Sequence, residues 1–502
     1  MKKSFFVFLI ISLIYALSLS VSASYDVSER ARIGIKYGTT AVSSPSVSST
    51  TGSFDFSYVS EDITQFASYS TKSIIVSAYS SYLVAEQSYF ESFDLALSYC
   101  AQKENMIPFI KDGVIYAVYY GLSTVDEANV SLENAKLYNE TSYIISPDVS
   151  LIKVSEKSGK AIFIFSQSEN TKLGVNASND GLMDFGNQDT YRDIIEFIRN
   201  GNSFNLISNL TMQHYLYSVV PAEIGASAPL EAQKAQAVCA RTYYEENIGR
   251  HKNDGFALCG TTHCQMYIGT KWEREQSNKA VDETENMILT YNGKPISAVY
   301  FAHSGGVTAD VEDVWGNPYP YLKSVEDKYC TDYTWEVTID YDNLTEKMKN
   351  NGYDIGKVTD VKVTKTSDYG LVTELTISGT NGEKKFLREK ARTILSLKSQ
   401  NFTIPSENIT KFAKTKKGTE TVTVSKILTK DGVEEITDKI SVIDGNKKIS
   451  TLTKKAGNII YGKGYGHHVG FSQHGAMEYA KEGWDYIKIL KHYYQGVEIE
   501  GE

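Results

Sequence analysis

The sequence predicts an α+β protein: a β-rich domain with one long helix, plus a smaller inserted unit of alternating strands and helices. Three observations predict it. Period-two runs such as "ARIGIKYG" and "SVSSTTGSFDFSYVS" recur through the chain and read as half-buried strands. The clearest helical pattern is "APLEAQKAQAVCARTYYEENIGR", residues 228–250. Residues 71–147 follow the order strand, helix, hairpin, helix, strand.

The elements follow in chain order. Residues 1–23 read as a signal peptide: Lys2 and Lys3 precede an apolar run from Phe5 to Leu19, and Val21-Ser22-Ala23 offers the small residues of a cleavage site. The alternative is an uncleaved anchor, because the run approaches a membrane span in length. Either places the remainder outside the cytoplasm, secreted or associated with the cell wall. Residues 24–70 are Ser/Thr-rich and short-stranded. Within 71–147, "SIIVSAYS" reads as a strand and "SYFESFDLALSYCAQKE" as an amphipathic helix. "MIPFIKDGVIYAVYYG" reads as a hairpin turning at Asp112-Gly113, "TVDEANVSLENAKLY" as a second helix and "TSYIIS" as the last strand. The order βαββαβ is that of a ferredoxin-like unit.

Residues 148–404 return to strands and hold the long helix. Pro229 suits its first turn and Gly249 its end. Leu230, Lys234, Val238 and Arg241 share one face, and Cys239 reads as a small core residue. Residues 405–457 are Lys/Thr-rich and alternate, with "DG" and "GN" turn signals, and read as an inserted β-hairpin segment. Residues 458–502 give a glycine-rich loop, "GYGHHVGFSQHGA", followed by helices.

Composition narrows the function. A formal charge of −10 excludes a nucleic-acid partner, which requires a basic face. The 35 tyrosines suit half-wet ligands such as sugars, and equally suit an exported β-rich protein. Five cysteines in 502 residues are too few for a disulfide framework. One stretch concentrates them: "HKNDGFALCGTTHCQMY" carries His251, Cys259, His263 and Cys264. Two imidazoles and two thiols form a Zn²⁺ ligand set, and four protein ligands close the sphere of a structural site. In an oxidising compartment a Cys259–Cys264 disulfide is the alternative.

Three further stretches belong together: "YLYSVVPAEIGASAPLEAQKAQAVCARTYY", "AHSGGVTADVEDVWGNPYPYLKSV" and "GKGYGHHVGFSQHGA". Their combination resembles the stage II sporulation protein D family, whose relatives include the amidase enhancers. "YRDIIEFIRNGNSFNLISNLTMQHYLYSVVP" and "SGTNGEKKFLREKARTILSLKSQNFTI" extend the likeness. It covers residues 148–404 and 458–502, with "ARIGIKYG" as the start of the same domain. Residues 71–147, through "YAVYYGLSTVDEANVSLENAK", resemble a sporulation-related repeat (SPOR) domain, a module associated with peptide-free glycan; a ferredoxin-like domain without ligand is the alternative.

The resemblance implies a groove-forming lytic transglycosylase acting on peptidoglycan glycan strands stripped of their peptides. It implies that Glu223 is the catalytic acid, that Arg241 is functional, and that Tyr321 and Lys323 form another functional pair. It also implies a zinc site near the groove, in a "TTHCQ" setting like the one here. Ser472 and Gln473 offer hydrogen-bonding groups in the glycine-rich loop. This chain has His467-His468 where the family usually has one histidine. From the residues themselves, Glu223 is expected in a turn after Pro221, where desolvation raises a carboxyl's pKa; a bland helix-entry carboxylate is the other reading. Most glycosidases use a second carboxylate, for which Glu231, Asp310 and Asp313 are the candidates. The alternative function is a non-catalytic glycan-binding enhancer of a cell-wall amidase; a structural scaffold is a third.

Overall fold

The computed structural model describes residues 25–186, 190–405 and 459–501, and the backbone alone of Gln87, Ser88 and six strands between 409 and 453. The expected leader at 1–23 and the Gly445-Asn446 turn lie outside the described residues. Among the described residues no helix is long and apolar enough to cross a membrane. The chain divides into two compact units, Met1–Ser297 with Ile499–Glu502, and Ala298–Glu498.

The first unit is built on two sheets. One has seven strands in the order 258–259, 30–36, 203–211, 194–200, 172–177, 54–59, 63–69. Its pairs are antiparallel except that Leu258–Cys259 runs parallel to Arg30–Lys36. Ile33, Phe54, Phe56, Leu173, Val175, Ile195 and Phe197 are fully buried, as the alternating pattern predicts. The buried Glu196 carboxylate among them is paired: Arg32 donates Nε and Nη2 at 2.9 and 2.7 Å, and Asn209 Nδ2 donates at 2.8 Å. A charge inside a sheet is tolerated only when its oxygens are satisfied in this way.

The other sheet has ten strands, and one end of it carries a βαββαβ run. The run comprises Tyr82–Phe90, helix α1 (Phe93–Cys100), Met106–Lys111, Val114–Leu122, helix α2 (Val125–Lys136) and Tyr143–Ile145. Counted along the run, its fourth strand lies beside the first, then come the third and the second. The second strand also pairs in parallel with Ala161–Ser166, so the run shares hydrogen bonds with the rest of the sheet.

Two expectations are corrected here. The first strand is Tyr82–Phe90; Ser73–Ala78 instead pairs with Ser46–Ser49 and Leu151–Glu156. The helix starts at Phe93, because Ser92 caps it by accepting the Leu95 N–H, while Tyr89 and Phe90 pair with Tyr116 and Ile115. The apolar spacing of "SYFESFDLALSYC" suits either element until the neighbouring strand claims its first half.

Three helices complete the first unit: α3 (Met212–Ile224), α4 (Leu230–Asn247) and α5 (Glu275–Asp282). The long helix α4 is enclosed by α3, α5 and strand Ile288–Tyr291. Every residue from Ala235 to Glu245 is buried, Cys239 among them. It is thus a central helix rather than an amphipathic one with a solvent face.

The second unit holds two three-stranded sheets, Thr334–Thr338 with 459–463 and 402–403, and 358–366 with 372–379 and 382–387. Its helices are α6 (Val311–Val314), α7 (Tyr341–Asn350), α8 (Glu389–Thr393), α9 (Gln473–Lys481) and α10 (Tyr486–Tyr493). Met348, Val361, Val372, Leu375, Ile377 and Ile460 form one core there. The chain leaves the first of these sheets at Thr403 and re-enters it at Ile459. Between those points six strands form three antiparallel pairs.

Candidate functional site

Glu223 lies in the last turn of α3 and not in a free turn. Thr211 caps the helix by accepting the His214 N–H, and eight of its thirteen side chains are buried. That burial outweighs Pro221, which removes a single backbone donor near the end. Gly225, at φ +93°, closes the helix. The Glu223 side chain is half-buried, and its Oε1 accepts the Met266 N–H at 2.9 Å.

Met266 belongs to a loop stitched onto α3 and α4. The Tyr215 hydroxyl donates to Gln265 Oε1 at 2.7 Å, and Gln265 Nε2 donates to the Ala240 carbonyl at 3.2 Å. The Ile268 N–H donates to Ser218 Oγ at 3.3 Å, and Tyr267 and Ser208 share a hydroxyl hydrogen bond of 2.9 Å. Tyr215 and Gln265 are fully buried. Burial holds Tyr215 well above the ordinary phenol range, so it stays a donor.

The same loop carries the four side chains that the sequence offered as a metal-ligand set. One ligand atom from each of His251, Cys259, His263 and Cys264 lies within 4.8 Å of the others. His263 Nδ1 is 3.6 Å from Cys259 Sγ and 3.4 Å from Cys264 Sγ. His251 Nδ1 is 2.9 Å from Asp254 Oδ2, which sets the proton on Nδ1 and leaves Nε2 as the lone-pair nitrogen. That Nε2 is buried and has no partner among the described residues. An orphaned imidazole nitrogen oriented by a carboxylate, facing two sulfurs and a second imidazole, fits Zn²⁺.

The two cysteines are free thiols in this structure. Burial raises the Cys259 thiol, but hydrogen bonds from Thr261, His263 and Cys264 overcome it and bring it down to about 6. Cys264, half-buried beside that sulfur, is pushed up to about 11.

The frame behind the quartet is aromatic. Phe256 stacks on His251 with centroids 4.9 Å apart, and Tyr37 meets Phe256 edge-on at 4.8 Å. Cys259 sits in the strand paired with Ile33 and Gly34. A Cβ on Gly34 would press into the Phe256 ring, so any larger residue there has to displace that ring.

Arg241 points into the core. It is 1% exposed, and its Nη1 donates to the Met287 carbonyl at 2.9 Å. Burial lowers its pKa to about 10, which leaves it charged at neutral pH. It braces α4 against the strand that follows Met287. Glu231, one candidate second carboxylate, is paired with Lys234 at 2.9 Å. The sequence reading missed Gln265, Met266, Tyr215 and Asp254. The "TTHCQ" setting was the available signal for the first; a backbone donor such as Met266 leaves none.

The remaining candidates belong to the second unit. Tyr321 is largely buried against Tyr319, with centroids 5.6 Å apart. Lys323 lies between Asp310 and Glu312, at 3.5 and 3.8 Å. Burial, with Asp310 and Glu312 nearby, raises the Asp313 carboxyl. Ser472 is fully buried and caps α9 by accepting the Gly475 N–H at 3.2 Å; Gln473 opens that helix. His468 is fully buried, and His467 accepts the Val469 N–H on Nδ1 while Nε2 lies 3.0 Å from the Tyr300 carbonyl. Desolvation lowers His467 to about 4 and His468 to about 3, so both rings are neutral.

The SpoIID family, described as stage II sporulation protein, matches residues 200–291, which contain Glu223, Arg241 and the metal-ligand quartet. The chain is 32% identical over 302 residues to the amidase enhancer of Bacillus subtilis (strain 168), covering 57% of this chain and 40% of that protein. It is 29% identical over 314 residues to stage II sporulation protein D of the same strain, covering 58% and 75%. It is also 29% identical over 312 residues to an uncharacterised protein of Brachyspira hyodysenteriae (strain ATCC 49526 / WA1), covering 62% and 72%.

Proposed function

We propose that this chain, similar over residues 200–291 to the stage II sporulation protein D family, is a peptidoglycan lytic transglycosylase with Glu223 as its acid and base. The observation that carries this reading is the seating of Glu223: half-buried at a helix end, one oxygen fixed by the Met266 N–H on the loop of the metal quartet. The protonated carboxyl gives its proton to the glycosidic oxygen as the bond to the anomeric carbon breaks. The sugar's own 6-hydroxyl then attacks that carbon, and the Glu223 carboxylate takes the hydroxyl proton. The result is a 1,6-anhydromuramyl end and a free 4-hydroxyl, with no water consumed. One carboxyl serves both steps, so no second carboxylate is required, in contrast to hydrolases.

His251, Cys259, His263 and Cys264 hold a Zn²⁺ ion in this reading. Bound by four protein ligands, the ion closes the loop structurally and does not activate water. The protein acts outside the cytoplasm, on glycan strands freed of peptide, and the βαββαβ run from Tyr82 to Ile145 serves as a ferredoxin-like, SPOR-type glycan-binding unit. A cell-wall amidase is the partner that the name of the Bacillus subtilis relative points to.

The test is mass spectrometry of peptide-free glycan after incubation with purified protein. Anhydro ends support the reading, and products one water heavier replace it with hydrolysis. Intact glycan together with stimulation of an added amidase establishes the enhancer role instead.

A further inference from the structure

The second unit gathers a polar and aromatic patch around His303. Two segments far apart in sequence meet there: the His303 N–H donates to the Tyr465 carbonyl at 3.0 Å, and the Tyr465 N–H to the His303 carbonyl at 2.8 Å. Glycines permit the approach. A Cβ on Gly305 (φ +66°) would lie 2.8 Å from the Gly464 nitrogen, and one on Gly464 (φ +72°) would lie 2.6 Å from the His303 oxygen.

The histidine is locked in place. Its Nδ1 accepts the Gly305 N–H at 3.0 Å, so Nε2 carries the proton and donates to Asp332 Oδ1 at 3.0 Å. Asp332 is thereby anchored although its side chain is 93% exposed. The Tyr333 ring lies 5.4 Å from His303, His474 lies 5.3 Å from it on another side, and Tyr465 lies 6.3 Å from Tyr333. Tyr465 is 50% exposed and Tyr333 36%. Lys398 Nζ donates to the Tyr333 hydroxyl at 3.0 Å. Burial and the neighbouring His303 lower the pKa of His474, so it is a neutral ring that can both donate and accept.

We propose that this patch is a sugar-binding subsite. The faces of Tyr333 and Tyr465 take the C–H side of a pyranose ring, while Asp332, His474 and Lys398 take its hydroxyls. The chemistry selects this ligand class. The exposed Asp332 opposes an anion, three polar groups oppose a purely apolar partner, and both His303 nitrogens are already engaged, which opposes a metal. An amphipathic ring with hydroxyls on its rim satisfies all of them.

The subsite rests on the glycan-acting reading above, and its test separates the two. The full chain carrying Glu223→Gln is titrated calorimetrically with peptide-free glycan oligosaccharides, so that the ligand is not consumed. Tyr465→Ala and Tyr333→Ala, added to that background, are each expected to weaken binding about tenfold, while Tyr465→Phe keeps it. Unchanged thermal unfolding shows that each variant is folded. Parent-like binding by both alanine variants overturns the subsite and leaves the proposed function standing. An equal loss with phenylalanine overturns the stacking. A parent that binds no glycan overturns both the subsite and the glycan-acting reading.

Discussion

The seat of Glu223 depends on one buried side chain, and replacing Gln265 tests that dependence. Methionine keeps the shape of Gln265 but not its polar atoms. In the variant the Tyr215 hydroxyl, fully buried and donating to Oε1 at 2.7 Å, loses its acceptor. Leaving a buried donor unsatisfied costs about 1–3 kcal/mol, and losing the bond from Nε2 to the Ala240 carbonyl costs about 1 kcal/mol more. Gln265→Met is therefore expected to destabilise by about 2–4 kcal/mol, which for a unit of this size lowers Tm by about 3–6 °C. Tyr215→Phe alone removes the hydroxyl that donates to Oε1 and costs about 1–3 kcal/mol.

The double variant has no stranded partner. Its cost should fall short of the sum of the singles by about 1–3 kcal/mol, the coupling of the pair. Urea and thermal unfolding followed by circular dichroism supply the numbers. Because Met266 follows Gln265 and donates to Glu223, Gln265→Met should also lower turnover per folded molecule, by up to ~10²-fold if the seat shifts by an ångström. Additive costs, within about 0.5 kcal/mol, refute the claim that this hydrogen bond stitches the loop.

Further outcomes are expected. Glu223→Gln should lower cleavage by about 10²–10⁴-fold while leaving folding and glycan binding intact, as single-turnover assays and calorimetry will show; near-normal turnover returns Glu223 to a structural role. Protein purified without a histidine tag should carry about one zinc per chain by elemental analysis, with Cys259 and Cys264 unreactive to thiol reagents until chelation, and should release the metal on acidification. Missing thiols without metal establish a disulfide instead. Gly34→Ala forces the Phe256 ring aside and should cost about 1–3 kcal/mol while weakening zinc retention. The buried histidines fix a pH dependence. Their folded pKa values, about 4 and about 3, lie below the ordinary 6.5, so the unfolded chain binds protons first. Their stabilisation is complete above pH 6.5 and is lost as pH falls toward 4 and 3, at roughly 1.4 kcal/mol per unit for each ring. A urea midpoint flat across that window contradicts their burial.

Residue chemistry alone determined much of this protein. The alternation of "ARIGIKYG" specified a strand with Ile33 inward, because a strand's two faces repeat every second residue. The density of alanine and long straight side chains after Pro229 specified helix α4. The four soft-metal ligands within residues 251–264 supplied a ligand set, but such a segment can extend to roughly 45 Å, and only the folded loop brings one ligand atom from each within 4.8 Å of the others. Other features were decided by tertiary contact. Tyr89 and Phe90 joined a strand because Val114–Leu122 offered them a ladder, although their spacing with the residues that follow also suited a helix. Helix α3 ran through Pro221 because burial of eight side chains outweighed one missing donor. Arg241, unremarkable on a helical wheel, entered the core because α4 is enclosed by α3, α5 and the strand after Met287. One partner of Glu223 is a backbone N–H, that of Met266. Every residue except proline has one, so no side-chain pattern marks it, and only the folded loop brings it to the carboxylate.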